Sequence, residues 1–271
     1  MTTKRTFLAA AFALAVSGMT ALPVLAQEAT SVIQTIKERG TIKIGLSEFA
    51  PWAMRDKNGE LIGFELDVGR QLAADMGVEA EFIPTAWDGI IPALIAGKFD
   101  VIISGMSITP ERNLTVNFSS PYAYSGLTVM VNKTTTAGKT LEQLNDPSIT
   151  FAARRGATPA TVIAREFPNA TLVQFDEDGA ATQEVLNGNA NATMGPSTTN
   201  TDEVAKYPDV LDQPYDKLFD PSGEAFAFRK GDPDAENFFN NWIDQQWRSG
   251  WLDARHDYWF AGKEWASLVS Q

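Results

Sequence analysis

The chain has no cysteine and a single histidine, His256, in 271 residues. Disulfides, thiolate chemistry and metal sites built on Cys or His are thereby excluded. The fold must then rest on its hydrophobic core, which a chain of this length can supply. Positive charge is scarce as well, with 22 Lys and Arg against 34 Asp and Glu, and that balance argues against nucleic acid or anionic membrane as partners. After the N-terminal region no run approaches the roughly 20 apolar residues of a membrane span. Tandem repeats, low-complexity blocks and Gly-rich phosphate loops are also missing. The acids Asp176-Glu177-Asp178 lack the alternating Asp pattern and closing Glu of a calcium loop and fit an acid-rich helix start. No cofactor and no metal are expected, and His256, among Arg255, Asp257 and Tyr258, is read as structural.

The first residues read Lys4-Arg5, then an apolar stretch from Phe7 to Val16, then small residues ending Val24-Leu25-Ala26 before Gln27. That is the layout of a secretory signal peptide, residues 1–26, with cleavage after Ala26. Cleavage removes Lys4 and Arg5 and no acid, so 20 bases face 34 acids in the mature chain. No Cys follows the apolar stretch, so a lipid anchor on an N-terminal Cys is not expected. The mature protein is expected to be free in a bacterial periplasm.

Strand and helix signals then alternate, which argues for an α/β fold with mostly parallel sheets. Strands are expected at Thr41 to Leu46, Ala80 to Pro84 and Phe99 to Gly105, with helices marked by Leu66, Val68, Leu72 and Met76 and by Ile90, Ile91, Leu94 and Ile95. A second set has strands near 149–153, 171–175 and 191–194 and a helix near 177–187. Tyr124 to Asn132 and Glu224 to Arg229 could cross between the two sets. Phe238, Phe239, Trp242, Ile243, Gln246 and Trp247 follow a period near 3.6 and are read as core.

The window Met106 to Arg112 carries the most chemistry. Thr109 is a good helix N-cap and Pro110 fits the first helical position, so the free N–H groups of that turn favour an anion. Arg112 can grip a carboxylate with two parallel hydrogen bonds, and Ser107 and Thr109 add neutral donors. A capped surface helix whose Arg meets a neighbouring acid explains the same residues. A similar strand-to-helix turn recurs at Arg155-Gly156-Ala157-Thr158-Pro159, which suggests two lobes presenting donors to one ligand.

The sequence resembles the polar amino-acid-binding periplasmic proteins of ABC importers, bacterial solute-binding family 3, over essentially the whole mature chain. The resemblance rests on Gly40 to Gly45, Pro51-Trp52, Gly63 to Asp67, Trp87 to Leu94, Gly97 to Asp100, Met106 to Arg112, Phe118 to Tyr122 and Gly223 to Lys230. It implies a two-lobe periplasmic binding protein of type II, with lobe 1 from residues 27–126 and 223–271, lobe 2 from 127–222, and a ligand cleft between lobes joined by two crossover strands. It further implies that Phe49 and Trp87 stack on the ligand, that Gly105 offers its carbonyl, and that Ser107 and Arg112 take an α-carboxylate. Thr158 and the backbone at Ala157 would close on that carboxylate from lobe 2. Implied partners are a small carboxylate ligand and ABC permease subunits in the inner membrane, with the chain itself a monomer and not an enzyme.

One departure matters. Family members that bind α-amino acids usually carry an Asp after a second-lobe strand, and here that position falls on or near Pro196. Burying an ammonium without an acceptor is costly, so another acid must serve or the ligand must differ. Glu48 is the best substitute and Glu177 a weaker one; if Glu48 serves, an amino acid or an amidinium-bearing compatible solute fits. If Arg154 or Arg155 points inward, an organic anion with a second acidic group fits. Other classes are a cyclohexadienyl dehydratase-like enzyme, for which only Glu48 would offer a cleft carboxyl, and a sensory domain.

Overall fold

The computed structural model describes residues 31–262 and 264–269; the expected signal peptide and its cleavage point lie outside the described residues. In chain order the strands are β1 (Thr41–Leu46), β2 (Met54–Arg55), β3 (Leu61–Ile62), β4 (Glu79–Pro84), β5 (Val101–Ile102), β6 (Asn117–Asn132), β7 (Thr150–Arg154), β8 (Thr171–Phe175), β9 (Ala192–Pro196), β10 (Leu211–Asp212) and β11 (Phe219–Phe228). One sheet runs β4-β1-β5-β11-β6-β9-β7-β8, with β10 added to β6. At one end β1 pairs in parallel with β4 and β5, and at the other β7 pairs in parallel with β8 and β9. Between these halves the long strands β6 and β11 run antiparallel to one another. This is the expected two-lobed α/β architecture.

Each half buries its own core. On one side Ile42, Ile44, Phe64, Val68, Phe226 and Phe228 pack with Phe239, Trp242 and Ile243 of the helix Pro233–Arg248, so the aromatic stripe of that helix is core. On the other side Val129, Phe151, Val162, Ile163, Phe167 and Met194 form a second cluster. His256 packs on Phe64 and Phe260, with ring centroids 5.9 and 4.5 Å away. Among the described residues no helix is long and apolar enough to cross a membrane.

Two local departures from the sequence expectations shape the cleft. The strand expected over residues 99–105 pairs only at Val101–Ile102. Beyond it Ser104 turns its hydroxyl to accept the Ser47 N–H at 2.8 Å, and Gly105 adopts φ 55°, so the chain leaves the sheet and passes along the cleft. The second strand-to-helix turn also differs from the first. Thr109 caps Pro110–Asn113 by accepting the Arg112 N–H at 3.2 Å, whereas the helix Thr158–Glu166 is preceded by Ala157, which has no side-chain oxygen. Thr158 is therefore a helical residue and not a cap.

Candidate functional site

A cavity between the lobes brings together Phe49, Trp52, Trp87, Ser104, Gly105 and Ser107 from the first half, Ser125 and Glu224 from the crossover strands, and Leu127, Arg154, Ala157, Thr158, Pro159 and Pro196 from the second. A wider cavity of about 720 Å³ adjoins it, sharing Ser107 and Thr158 and adding Arg112 and Gly156. Of the residues expected at the site, Phe49, Trp87, Gly105, Ser107, Ala157 and Thr158 thus line the first cavity and Arg112 the second.

The two halves meet at Gly156. Its carbonyl accepts the Trp87 indole N–H at 3.1 Å and an Arg112 guanidinium N–H at 3.3 Å, and its φ of 68° turns the backbone toward them. Arg112 also donates to the Ser107 carbonyl at 3.0 Å, and its guanidinium carbon lies 5.5 Å from the Trp87 ring. Burial shifts the Arg112 pKa downward, against the opposing field of Glu111. The guanidinium remains a cation at any physiological pH, with its fork fixed at the seam by the carbonyls of Ser107 and Gly156.

Two expected residues lie elsewhere. Glu48 is ion-paired with Arg55 at 2.8 Å and faces an outer groove that it shares with Glu177. Arg155 reaches away to Asp176 at 3.0 Å, with about half of its side chain exposed. Adjacent strand residues project to opposite faces, so the neighbour Arg154 is the one turned inward. Arg154 is 5% exposed, donates to the Ser47 hydroxyl and to the Asp176 carbonyl, and sits 5.5 Å from the Trp87 ring.

Two buried carboxyls, Glu65 and Glu224, adjoin the site, and neither is among the residues expected there from the sequence. Glu65 is fully buried, and the Tyr122 hydroxyl meets both its oxygens at 2.7 and 2.8 Å while accepting the Gly105 N–H at 3.0 Å. Burial raises its pKa to about 8, opposed by the Tyr122 and Gly105 hydrogen bonds. Glu65 underlies the cavity: a Cβ on Gly105 would come within 3.3 Å of the Trp52 ring and 3.7 Å of Glu65 Oε1. The second carboxyl, Glu224, lines the cavity itself. It is 2% exposed, Ser125 donates to Oε1 at 2.5 Å, and Oε2 has no partner. Burial raises its pKa to about 7, against the Ser125 bond and its own backbone N–H. The expectation that only Glu48 offers a carboxyl near the cleft is overturned. The legible signal was a lone acid opening the apolar run Glu224-Ala225-Phe226-Ala227-Phe228, since a charge entering a buried strand needs a reason.

The family model described as bacterial extracellular solute-binding proteins, family 3, matches residues 42–262. The chain is 29% identical over 231 residues to the L-cystine-binding protein TcyJ of Escherichia coli (strain K12), covering 84% of this chain and 86% of that protein. Among solved structures, the ancestral amino acid-binding protein AncCDT-1, a precursor of cyclohexadienyl dehydratase, superposes with a TM-score of 0.76 at 38% identity, over 85% of this chain and 100% of its own. A putative binding component of an ABC transporter from Wolinella succinogenes DSM 1740, complexed with lysine, gives a TM-score of 0.80 at 37% identity, over 84% and 99%.

Proposed function

The chain belongs to the bacterial extracellular solute-binding proteins, family 3, and from that premise we propose how it holds its cargo: the α-carboxylate of an amino acid sits at Arg112, Ser107 and Thr158. The protein is the periplasmic solute-binding component of an ABC importer, capturing a solute between two lobes and handing it to a membrane permease. The observation that carries the carboxylate reading is the fixed guanidinium of Arg112 at the lobe seam. A bidentate cation flanked by a hydroxyl and a helix start is built for a planar anion. Phe49 and Trp87 supply apolar walls for the rest of the ligand.

We place the hinge in β6 and β11, with lobe 1 spanning 27–126 and 223–271 and lobe 2 spanning 127–222. Closure around the ligand brings the turn at Gly156 against Trp87 and Arg112, so ligand and lobe contacts form together. We place the mature chain in the periplasm as a monomer, released by cleavage after Ala26.

A thermal-shift screen of residues 27–271 against amino acids, dicarboxylates, aromatic acids and compatible solutes tests the reading, because a ligand of the folded state alone raises the melting temperature. Shifts from α-amino acids, lost in Arg112→Ala, are expected. Shifts confined to solutes without a carboxylate would defeat it. A dehydratase has one specific observation in its favour, the cleft carboxyl Glu224 with its raised pKa, which suits a general acid. We favour capture without catalysis. Aromatic product from prephenate or arogenate would reverse that choice.

A further inference from the structure

We propose that Glu224 is the acceptor for the α-ammonium of the bound amino acid, so that a crossover strand supplies the acid missing from the second lobe at Pro196. The inference rests on amino-acid capture and specifies what reads the amine. Pro196 lines the cavity and brings no acceptor. Glu224 lines the same cavity, is almost wholly buried, and leaves Oε2 without a partner. A buried carboxylate oxygen that stays unpaired is costly unless a donor arrives, and an ammonium is the donor that also neutralises the charge.

The position is set by the backbone. Ser107 and Glu224 face each other across an isolated antiparallel bridge, flanked by the hydrogen bonds Ile108 N–H to the Gly223 carbonyl and Ala225 N–H to the Met106 carbonyl. Those bonds make a non-hydrogen-bonded pair, in which opposite residues have Cα atoms about 4.5 Å apart and side chains on the same face. The carboxylate seat at Ser107 and the Glu224 carboxyl are thus neighbours, the spacing needed for two substituents of one α-carbon. The pairing of β11 with β6 also slips between Glu224 and Ala225, leaving Tyr122 as the extra residue. Such bulges re-aim side chains.

Around Glu224, Glu65 lies beneath with Tyr122 and Ser125 donates from β6. Arg154 brings a cation to the same cavity from β7, and its guanidinium is turned to the Ser47 hydroxyl and the Asp176 backbone carbonyl. The Trp52 indole N–H, 2% exposed in the same cavity, is also without a partner. A zwitterion supplies both a donor for Glu224 and an acceptor for that indole.

Calorimetry of residues 27–271 with the twenty standard amino acids and L-cystine, each paired with its α-hydroxy analogue where one exists, tests this. For whichever amino acids bind, Glu224→Gln is expected to weaken affinity by about 100-fold or more while changing that for the hydroxy acid by no more than about threefold. Unchanged amino-acid affinity in a folded Glu224→Gln protein would overturn the inference alone. Failure of the wild-type chain to bind any amino acid would instead overturn the capture reading beneath it. A second measurement needs no variant: at pH 7, titrations in buffers of different ionisation heat should show a fraction of a proton released on binding, as the ammonium drives Glu224 to its charged form. Net proton uptake would contradict the assignment.

Discussion

Trp87 donates its indole N–H to the carbonyl of Gly156 at 3.1 Å, a bond between residues that lie on opposite halves of the molecule and 69 positions apart in the chain. The same carbonyl takes Arg112. In the proposed reading ligand capture and lobe closure share one side chain, because the ring beside the proposed carboxylate seat is also the donor that fastens the second lobe.

Trp87→Phe should keep an aromatic wall and lose the bond. A net hydrogen bond is worth about 1 kcal/mol, so amino-acid affinity should fall about fivefold, mostly through a faster off-rate. Trp87→Ala should lose considerably more. Stopped-flow dissociation measures both, and a Phe variant that releases no faster than wild type would remove the bond from the closing mechanism.

Arg112→Ala should weaken α-amino-acid binding by at least about 100-fold, since it strands a desolvated carboxylate. Arg112→Lys should recover only part, because a point charge cannot reproduce the fork that holds Ser107 and Gly156. Calorimetry decides, and equal affinity in the Lys variant would show that charge alone is read. The folding midpoint in urea should barely move, as Arg112 is outside both hydrophobic clusters.

Residues whose role follows from local chemistry could be read from the sequence. Thr109, Pro110 and Arg112 announce a capped helix start, and the stripe through Phe239, Trp242 and Ile243 announces a buried face. Glu48 and Arg155 show the limit. Each has the right chemistry beside the cleft, yet Arg55 and Asp176 claim them, and neither ion pair has a sequence spacing that marks it. Glu224 shows the converse. Its place at the site depends on a bridge to Ser107 across more than a hundred residues and on a slipped register at Tyr122, which no periodicity encodes.

Glu65 should make stability fall as pH rises. Its carboxyl holds its proton to about pH 8 in the folded chain, whereas in the unfolded chain it ionises near 4.5. Between those values the folded state binds more protons, so unfolding becomes easier with increasing pH, by on the order of a few kcal/mol across the window. Below about 4.5 Glu65 contributes no slope, and above 8 its penalty is constant. Glu224 adds a smaller slope of the same sign, ending near 7. Melts from pH 5 to 9 should show a shallower decline in Glu65→Gln than in wild type; parallel curves would refute the burial account of Glu65.

Asp220 occupies the left-handed region at φ 37° within β11 and is gripped by Arg165 through both carboxylate oxygens, at 2.5 and 3.0 Å. The exposed pair contributes little on its own, so the backbone should dominate. Asp220→Gly loses the pair but relaxes the backbone, while Asp220→Ala loses the pair and keeps the strain, and should be less stable than the Gly variant by about 1 kcal/mol. Urea titration of the two variants measures the gap, and the reverse order would mean that the ion pair sets the conformation.

Restoring an acid at Pro196 should rescue the loss of Glu224. Pro196 lines the cavity and precedes the helix Ser197–Lys206 as its N-cap, a position where Asp is favoured both as a cap and by the helix dipole. Glu224→Gln should abolish tight amino-acid binding, and adding Pro196→Asp should bring affinity back to within about tenfold of wild type, since the site again holds one acceptor for one ammonium. The rescued protein should also bind with less proton release at pH 7, because a capping Asp ionises well below that pH. A double variant no better than Glu224→Gln alone would show that the two positions do not read the same group, and that the crossover strand did not take over the role of the second lobe.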